Sequence, residues 1–457
     1  MSKCIIPPGK SQGQEQIETF QVSESNNFTK ILLLDFEGDI ILHTKEIFMN
    51  RFEKISNRID FFRDEMINMQ IKLCSIPAIS PLSGGEGEAK KAEILINFLN
   101  KNGFQDIDII KAPDLDVPVG YRPNILAIYK GKNSSKTIWI MTHMDVVPAG
   151  ELSLWRGNPF KAWIEEGKIY GRGVEDNQQD MVASLYTLKA FQSEEIKPNY
   201  DVGIALFADE ETGSEKGIQY VLQNSNPFRK KDLIIVPDAG NSEGTMIEVA
   251  EKSILWLKFT TLGKQAHGST PEKGVNSFKV ASFLITEFNK LYETFNEKDQ
   301  LFDPPISTFE PTKKEPNVPN INTIPGEDVF YMDSRILPKY TIEEVEAKIK
   351  QITDKIEKTF NVKINYEEVQ KTSVVQPTSP EAPVVQALKR AVKKIYKKEA
   401  KPTGIGGGTV AALFRRENFE ASCWSKIDET AHQPNEYCII DNMIGDARVF
   451  AHIFLQD

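Results

Sequence analysis

From residue 52 onward, apolar side chains recur every three or four positions (Phe52, Ile55, Ile59, Phe62, Met66), the spacing that gives a helix one buried face. After the Gly84-Gly85 loop, Ala92, Leu95, Ile96 and Leu99 predict another helix, which Asn102-Gly103 stops. Continuous apolar runs at 137–141, 202–207 and 233–236 predict strands buried on both faces. Helical patterns lie between them, as in parallel strands joined by crossover helices. Between 252 and 370 the pattern changes to strand (255–261), helix (277–292), strand (near Ser307), strand (329–337), helix (342–360) and strand (362–366). That order is a split βαβ unit. A helix at 384–397, a glycine loop at 404–408, a helix from Thr409 and a strand-like end follow. The expected fold is α/β, a mostly parallel sheet sandwiched by helices, with an inserted α+β domain. Residues 49–251 and 371–457 are then two parts of one domain, 252–370 the insert, and 1–48 an N-terminal extension of unassigned role. Within that extension only 30–36 is strand-like, and Met49, just ahead of the first helical pattern, fits a translation start as well as 1–48 fits an accessory tail.

Composition narrows the functional classes. A chain of 457 residues exceeds one ordinary core, and 40% hydrophobic with 26% charged residues excludes disorder. A formal charge of -10, with no long Lys/Arg run, gives no field for nucleic acid. The four cysteines, Cys4, Cys74, Cys423 and Cys438, show neither C-x-x-C spacing nor a disulfide framework, so a reducing, cytoplasmic setting is expected. Residues 31–42 are too short and too charged (Asp35, Glu37, Asp39) to span a bilayer, and the first ten residues lack the apolar core of a signal peptide. No membrane partner is expected.

Each of the three predicted buried strands runs into candidate metal ligands: His143 and Asp145, Glu210 and Glu211, Asp238. In open α/β sheets the carboxyl ends of the strands form the ligand crevice, so these groups converge. The segments G-R-G-V-E-D (171–176) and H-Q-P-N-E (432–436) add a carboxylate and an imidazole from loops. Alone, a histidine after an apolar run is ordinarily a core residue, and Asp209-Glu210-Glu211 an acidic turn. Their shared position at strand ends favours a nitrogen and oxygen donor set suited to zinc, cobalt or manganese. His43 and His452 have no such company. The glycine run 406–408 lacks the Gly-Lys-Ser/Thr ending of a phosphate loop, but Gly407, Gly408 and Thr409 open a helix whose free N–H groups suit a carboxylate.

The motifs H-M-D (143–145), G-R-G-x-x-D (171–176), D-E-E-x-G (209–213), P-D (237–238), A-H-G-S (266–269) and H-x-x-N-E (432–436) stand in one order. In this the chain resembles, over about residues 60–457, the family of aminoacylase, glutamate-releasing carboxypeptidase, acetylornithine deacetylase and succinyl-diaminopimelate desuccinylase. The resemblance implies two divalent ions, zinc foremost with cobalt or manganese as alternatives, one held by His143 and Asp238, the other by Glu211 and His432, with Asp176 bridging. Such a pair sits about 3.5–4 Å apart and activates a water. Glu210 is then the general base, and Asp145 orients the His143 imidazole. The Asp176-Asn177 peptide is expected to be cis. His267 is expected to reach from the insert into the partner's site of a homodimer, and Asn322 and Arg335 to bind a substrate carboxylate. The implied reaction is cleavage of the amide of an N-acyl amino acid, a small molecule. A dipeptidase or carboxypeptidase is the alternative, toward which Asp238 leans because deacylases often carry glutamate there. A binding protein that keeps the metals without turnover is a third reading, against which Glu210 argues. Two departures, Asn177-Gln178-Gln179-Asp180 where relatives carry a Lys-Gly pair and Val410 where they carry aspartate, bear on substrate preference rather than on the ligands.

Overall fold

The computed structural model describes residues 29–34, 40–45, 49–225, 227–373 and 375–457. It forms two units, residues 1–54 and 55–457. In the first, Thr29–Leu34 and Ile40–Lys45 pair antiparallel; of the strand expected at 30–36, residues 30–34 lie in the first of these and 35–36 lie outside the described residues.

The second unit is built on an eight-stranded sheet. Across it the strands run Lys401–Ile405, Met246–Glu251, Ala421–Ser425, Leu233–Gly240, Asn133–His143, Tyr200–Phe207, Tyr121–Tyr129 and Asp106–Pro113. The four central strands pair in parallel, and the two on the far edge are antiparallel. Alternation along the strands divides the core. Trp139, Met141, Phe207 and Val236 pack in one cluster with Ile218, Val221, Val410 and Phe414 from the helices Ile218–Asn224 and Val410–Arg416. Ile138, Ile140 and Ile204 point the other way, where Gln178–Ser193 lies on the central strands with Ile440–Phe454 and Arg63–Cys74 against it. Gly203 is required on the Trp139 face, because a Cβ there would stand 2.1 Å from the Trp139 ring.

Residues 253–372 form a separate antiparallel sheet in the order Thr308–Lys314, Glu327–Ile336, Ser253–Leu262, Lys363–Thr372. Numbered along the chain this is 2-3-1-4, the pattern of the expected split βαβ unit. Leu255, Leu257 and Phe259 line one face and meet Phe330, Met332 and the helix residues Val280, Leu284, Ile349 and Ile352. Phe259 and Phe330 stack across the strands at 5.0 Å. The helix Ile342–Phe360 begins with a full capping box between Thr341 and Glu344.

Two expectations are corrected. The helix expected at 277–292 is two helices, Ser277–Glu287 and Asn289–Thr294, meeting at Phe288. The chain does not end in strand-like structure: after the short strands Ala421–Ser425 and Tyr437–Ile439 it closes with the helix Ile440–Phe454. That helix buries most of its surface and leaves only a narrow polar edge, Asp441, Arg448 and His452, toward solvent. Among the described residues no helix is long and apolar enough to cross a membrane.

Candidate metal centre

His143 closes its strand and is buried beneath the carboxyl edge of the sheet. Its Nε2 lies 2.9 Å from Asp176 Oδ1 and 3.5 Å from Asp238 Oδ1, and Asp238 sits within the neighbouring strand Leu233–Gly240. On the opposite side of Asp176, the His432 Nε2 stands 3.2 Å from Oδ2 and 3.0 Å from Glu211 Oε2. Two sets result, His143, Asp176, Asp238 and Asp176, Glu211, His432, and within each the donor atoms lie within 4.8 Å of one another. Asp176 belongs to both, offering one oxygen to each. Imidazole nitrogens and carboxylate oxygens in two such groups sharing one carboxylate fit a pair of divalent cations of the zinc type. The Asp176-Asn177 peptide is cis.

The remaining nitrogen of His143, Nδ1, faces Asp145, 3.1 Å from its carbonyl oxygen and 3.5 Å from its carboxylate. The nearer acceptor is thus the backbone oxygen. The Asp145 carboxylate instead accepts the N–H groups of Glu210 and Glu211, both at 3.1 Å, and so fixes the turn Glu210–Thr212. Glu210 belongs to neither donor set but shares this turn with Glu211.

Without cations, protons balance the charges. Although burial alone would lower it, hydrogen bonds to Asp145, Asp176 and Asp238 hold His143 well above the ordinary imidazole range. Hydrogen bonds to Asp176 and Glu211 push His432 up to about 10. Burial works against ionisation of Asp176, but the two imidazoles hold it well below the usual carboxylate range. Glu210 moves the other way: burial, with the charges of Asp238, Glu211 and Asp176 around it, pushes it well above an ordinary glutamate.

Several residues that shape the centre carry no motif signal of their own. Asn177 is buried and donates its amide to Asp238 Oδ1 at 3.0 Å and to Pro237 O at 2.7 Å, holding that ligand in place. Glu436 accepts the N–H groups of Gly173, Glu175 and Asp176 and pairs with Arg172 at 2.6 Å. Glu88, paired with Arg122 and wholly buried, accepts the Asp209 N–H at the start of the catalytic turn. The last residue of H-x-x-N-E pointed toward Glu436. Asn177 stood out in the sequence only as a departure from the family pattern and as the partner in the cis peptide, and nothing in the sequence pointed to Glu88.

The expected substrate groups stand apart from the donor sets. His267 is exposed on the two-residue strand Ala266–His267, with Nδ1 2.7 Å from Ser269 Oγ. Asn322 is exposed. Arg335 is bound side-on by Asp333, at 2.7 and 3.0 Å, and gives its third donor to Gly406 O at 2.7 Å. Thr409 caps the helix Val410–Arg416, but its own N–H and hydroxyl donate to Glu251, so a protein carboxylate already takes that amide. Gly407 and Gly408 have open space at their Cα atoms.

Residues 139–456 match the model of peptidase family M20/M25/M40. The chain belongs to this family. An uncharacterized metallohydrolase of Methanococcus maripaludis is 42% identical over 411 residues, covering 85% of this chain and 98% of that relative. A succinyl-diaminopimelate desuccinylase of Vesicomyosocius okutanii is 26% identical, covering 84% and 96%. Among solved structures, a di-peptidase of Saccharomyces cerevisiae superposes with a TM-score of 0.67 at 19% identity, covering 89% of this chain and 98% of that one. The M20/M25/M40 chain described here is therefore a metallohydrolase with the family's fold.

Proposed function

We propose that this protein hydrolyses the amide bond of an N-acyl amino acid, releasing the free amino acid, at the centre formed by His143, Asp176, Glu211, Asp238 and His432. The observation that carries this reading is the pair of donor sets sharing Asp176, with Glu210 beside them and in neither. Two zinc ions held there supply Lewis acidity and make water acidic near neutral pH; cobalt or manganese would do the same. Glu210 is the proton carrier: its carboxylate takes a proton from the attacking water and delivers it to the leaving amine. Asp145 aims this group by gripping the Glu210 N–H, and the same side chain braces His143. His267, reaching from a partner subunit across a homodimer formed by the insert, offers an N–H to the developing oxyanion. Arg335, Asn322 and the Gly407-Gly408 backbone surround the substrate carboxylate, while Thr409, whose N–H and hydroxyl go to Glu251, takes no part.

Cleavage of a dipeptide or of a C-terminal residue is the second reading. Asp238, in the position where deacylases of this kind often carry glutamate, favours it. Purified protein loaded with zinc, cobalt or manganese, assayed against a panel of N-acyl amino acids and dipeptides, separates the two. The expected result is release of an amino acid from acylated substrates that stops on chelation and returns with the metal. A rate untouched by chelators removes the whole reading, and turnover confined to peptides selects the second.

A further inference from the structure

Two loops bring Asp176 and His432 together, and each is held by a carboxylate from the other. Glu436, four residues past His432, takes the backbone N–H groups of Gly173, Glu175 and Asp176 at 3.0, 3.0 and 3.2 Å. Glu175, the residue before Asp176, reaches the other way. Its Oε1 accepts the Asp428 N–H at 2.8 Å. Its Oε2 accepts the Thr430 N–H, the Thr430 hydroxyl at 2.8 Å and the Ala431 N–H at 3.1 Å. Both carboxylates are buried, Glu175 4% and Glu436 1% exposed.

The loop that Glu175 grips is one that would not keep its shape unaided. Glu429, His432 and Asn435 all have positive φ, at 58, 63 and 62°, a region disfavoured for side-chain-bearing residues. The turn at Glu429 directs nearby amides toward one point, the kind of concavity that receives an anion. Here the anion is Glu175. His432 follows directly on Ala431, the last of those amides, and is itself largely exposed, so little else packs against its ring.

We propose that Glu175 is a positioning residue for the Glu211 and His432 side of the centre, acting through the 428–431 backbone to set His432 against Asp176. This rests on the two-ion reading above. The His143 and Asp238 side meets Glu175 only through Asp176, whose own N–H is held by Glu436, while Asp238 is held by Asn177 and His143 by Asp145.

The test is a calorimetric titration of the ion-free full-length protein with zinc, and with cobalt followed by its visible spectrum. Native protein is compared with Glu175→Ala, Glu175→Gln and His432→Ala. Native protein is expected to take up two ions. In Glu175→Ala one of them weakens about 10- to 100-fold, the range found when a group orienting a ligand is removed, while the other is unchanged. The weakened ion is the one lost in His432→Ala, identified by the same missing cobalt bands. Glu175→Gln, which keeps one acceptor oxygen, shows a smaller loss. Two ions bound with native constants in both Glu175 variants would overturn the proposal, as would equal weakening of both ions in Glu175→Gln. Fewer than two ions in the native protein would bring down the two-ion reading itself, and the role of Glu175 with it.

Discussion

Replacing Glu210 with glutamine isolates proton transfer from metal binding. The two side chains have the same shape, and the backbone N–H of residue 210 keeps its 3.1 Å bond to Asp145, so the turn carrying Glu211 is undisturbed. Glu210 lies outside both donor sets, so Glu210→Gln is expected to hold the native complement of ions. What disappears is the only role assigned to the carboxylate. Loss of a positioned general base costs roughly 10²- to 10⁴-fold in kcat, about 3–5 kcal/mol of barrier. A second consequence follows from the charges. The folded-state pKa of Glu210 is raised, so its contribution to stability is present below the ordinary glutamate value and lost as pH rises through the raised value. Glutamine has no such loss, and the ion-free variant is expected to melt no lower than ion-free native protein above neutral pH. The assay is kcat on metal-quantified protein, with melting of the ion-free forms alongside. Turnover within about threefold of native at full metal content would refute the proton-carrier role. Loss of an ion would instead make Glu210 a ligand.

Because His143 is held well above its ordinary range and His432 near 10, both imidazoles are protonated in the ion-free chain at pH 7–8; ion uptake should release about two protons, measured by calorimetry in buffers of different ionisation heat, and no release would contradict the ligand assignment. Lys91 is buried, its Nζ has no hydrogen-bond partner, and burial lowers it to about 8 despite Cys74 and Asp145 nearby. Between about pH 8 and 10.5 the unfolded chain therefore binds the extra proton and stability rises with pH, so Lys91→Met should melt higher than native at pH 7, by roughly 3 kcal/mol at most, with the gap closing by pH 10. If His267 serves the partner's site, His267→Ala and His432→Ala are each inactive, while mixing them with subunit exchange restores up to about a quarter of native activity by random pairing; no recovery despite proven exchange would refute the trans role. Asp333→Asn should free the Arg335 fork and lower KM for substrates bearing a free carboxylate, by about tenfold, without changing KM for their amides.

The ligand residues were legible because the sheet itself exposes them. A buried strand has to end somewhere, and a charged or imidazole side chain just past an apolar run marks its carboxyl edge, as at His143, at Glu210-Glu211 and at Asp238. The insert was legible for a similar reason, since half-buried strands alternate, as in Leu255, Leu257 and Phe259. What did not show was the support. Glu175 looks in sequence like a solvated loop glutamate and Glu436 only like the end of a motif, and the folded backbone reveals that the partners of both are amides of another loop. The terminal helix Ile440–Phe454 shows in sequence only a narrow polar edge, Asp441, Arg448 and His452, and the two antiparallel edge strands have a pattern no different from that of their parallel neighbours.

Where substrate preference resides is changed by the same geometry. The departures from the family pattern at 177–180 and 410 looked like places where selectivity would be set. Yet Gln178, Gln179 and Asp180 are at most 1% exposed, and Val410 is 5% exposed within the apolar cluster beneath the sheet. Gln179 donates to Lys426 O at 3.0 Å and to Asp446 at 2.9 Å, and Asp180 accepts from Ser425 at 2.5 Å. These residues tie the helix after Asp176 to the strand and helix that flank the His432 loop, and no substrate reaches them. They stiffen the frame instead of reading the acyl group. Selection has to come from groups that solvent can reach, and of the candidates those are Asn322, the glycine loop and Arg335. Arg335 is already partly engaged: Asp333 takes two of its five N–H donors and Gly406 O takes one more. A substrate carboxylate there meets the two remaining N–H groups beside the like charge of Asp333, or takes the fork by displacing Asp333, and either way gains less than it would from a free guanidinium. If Arg335 receives the substrate carboxylate as proposed, its pairing with Asp333 and its link through Gly406 to the glycine loop set how strongly that carboxylate counts.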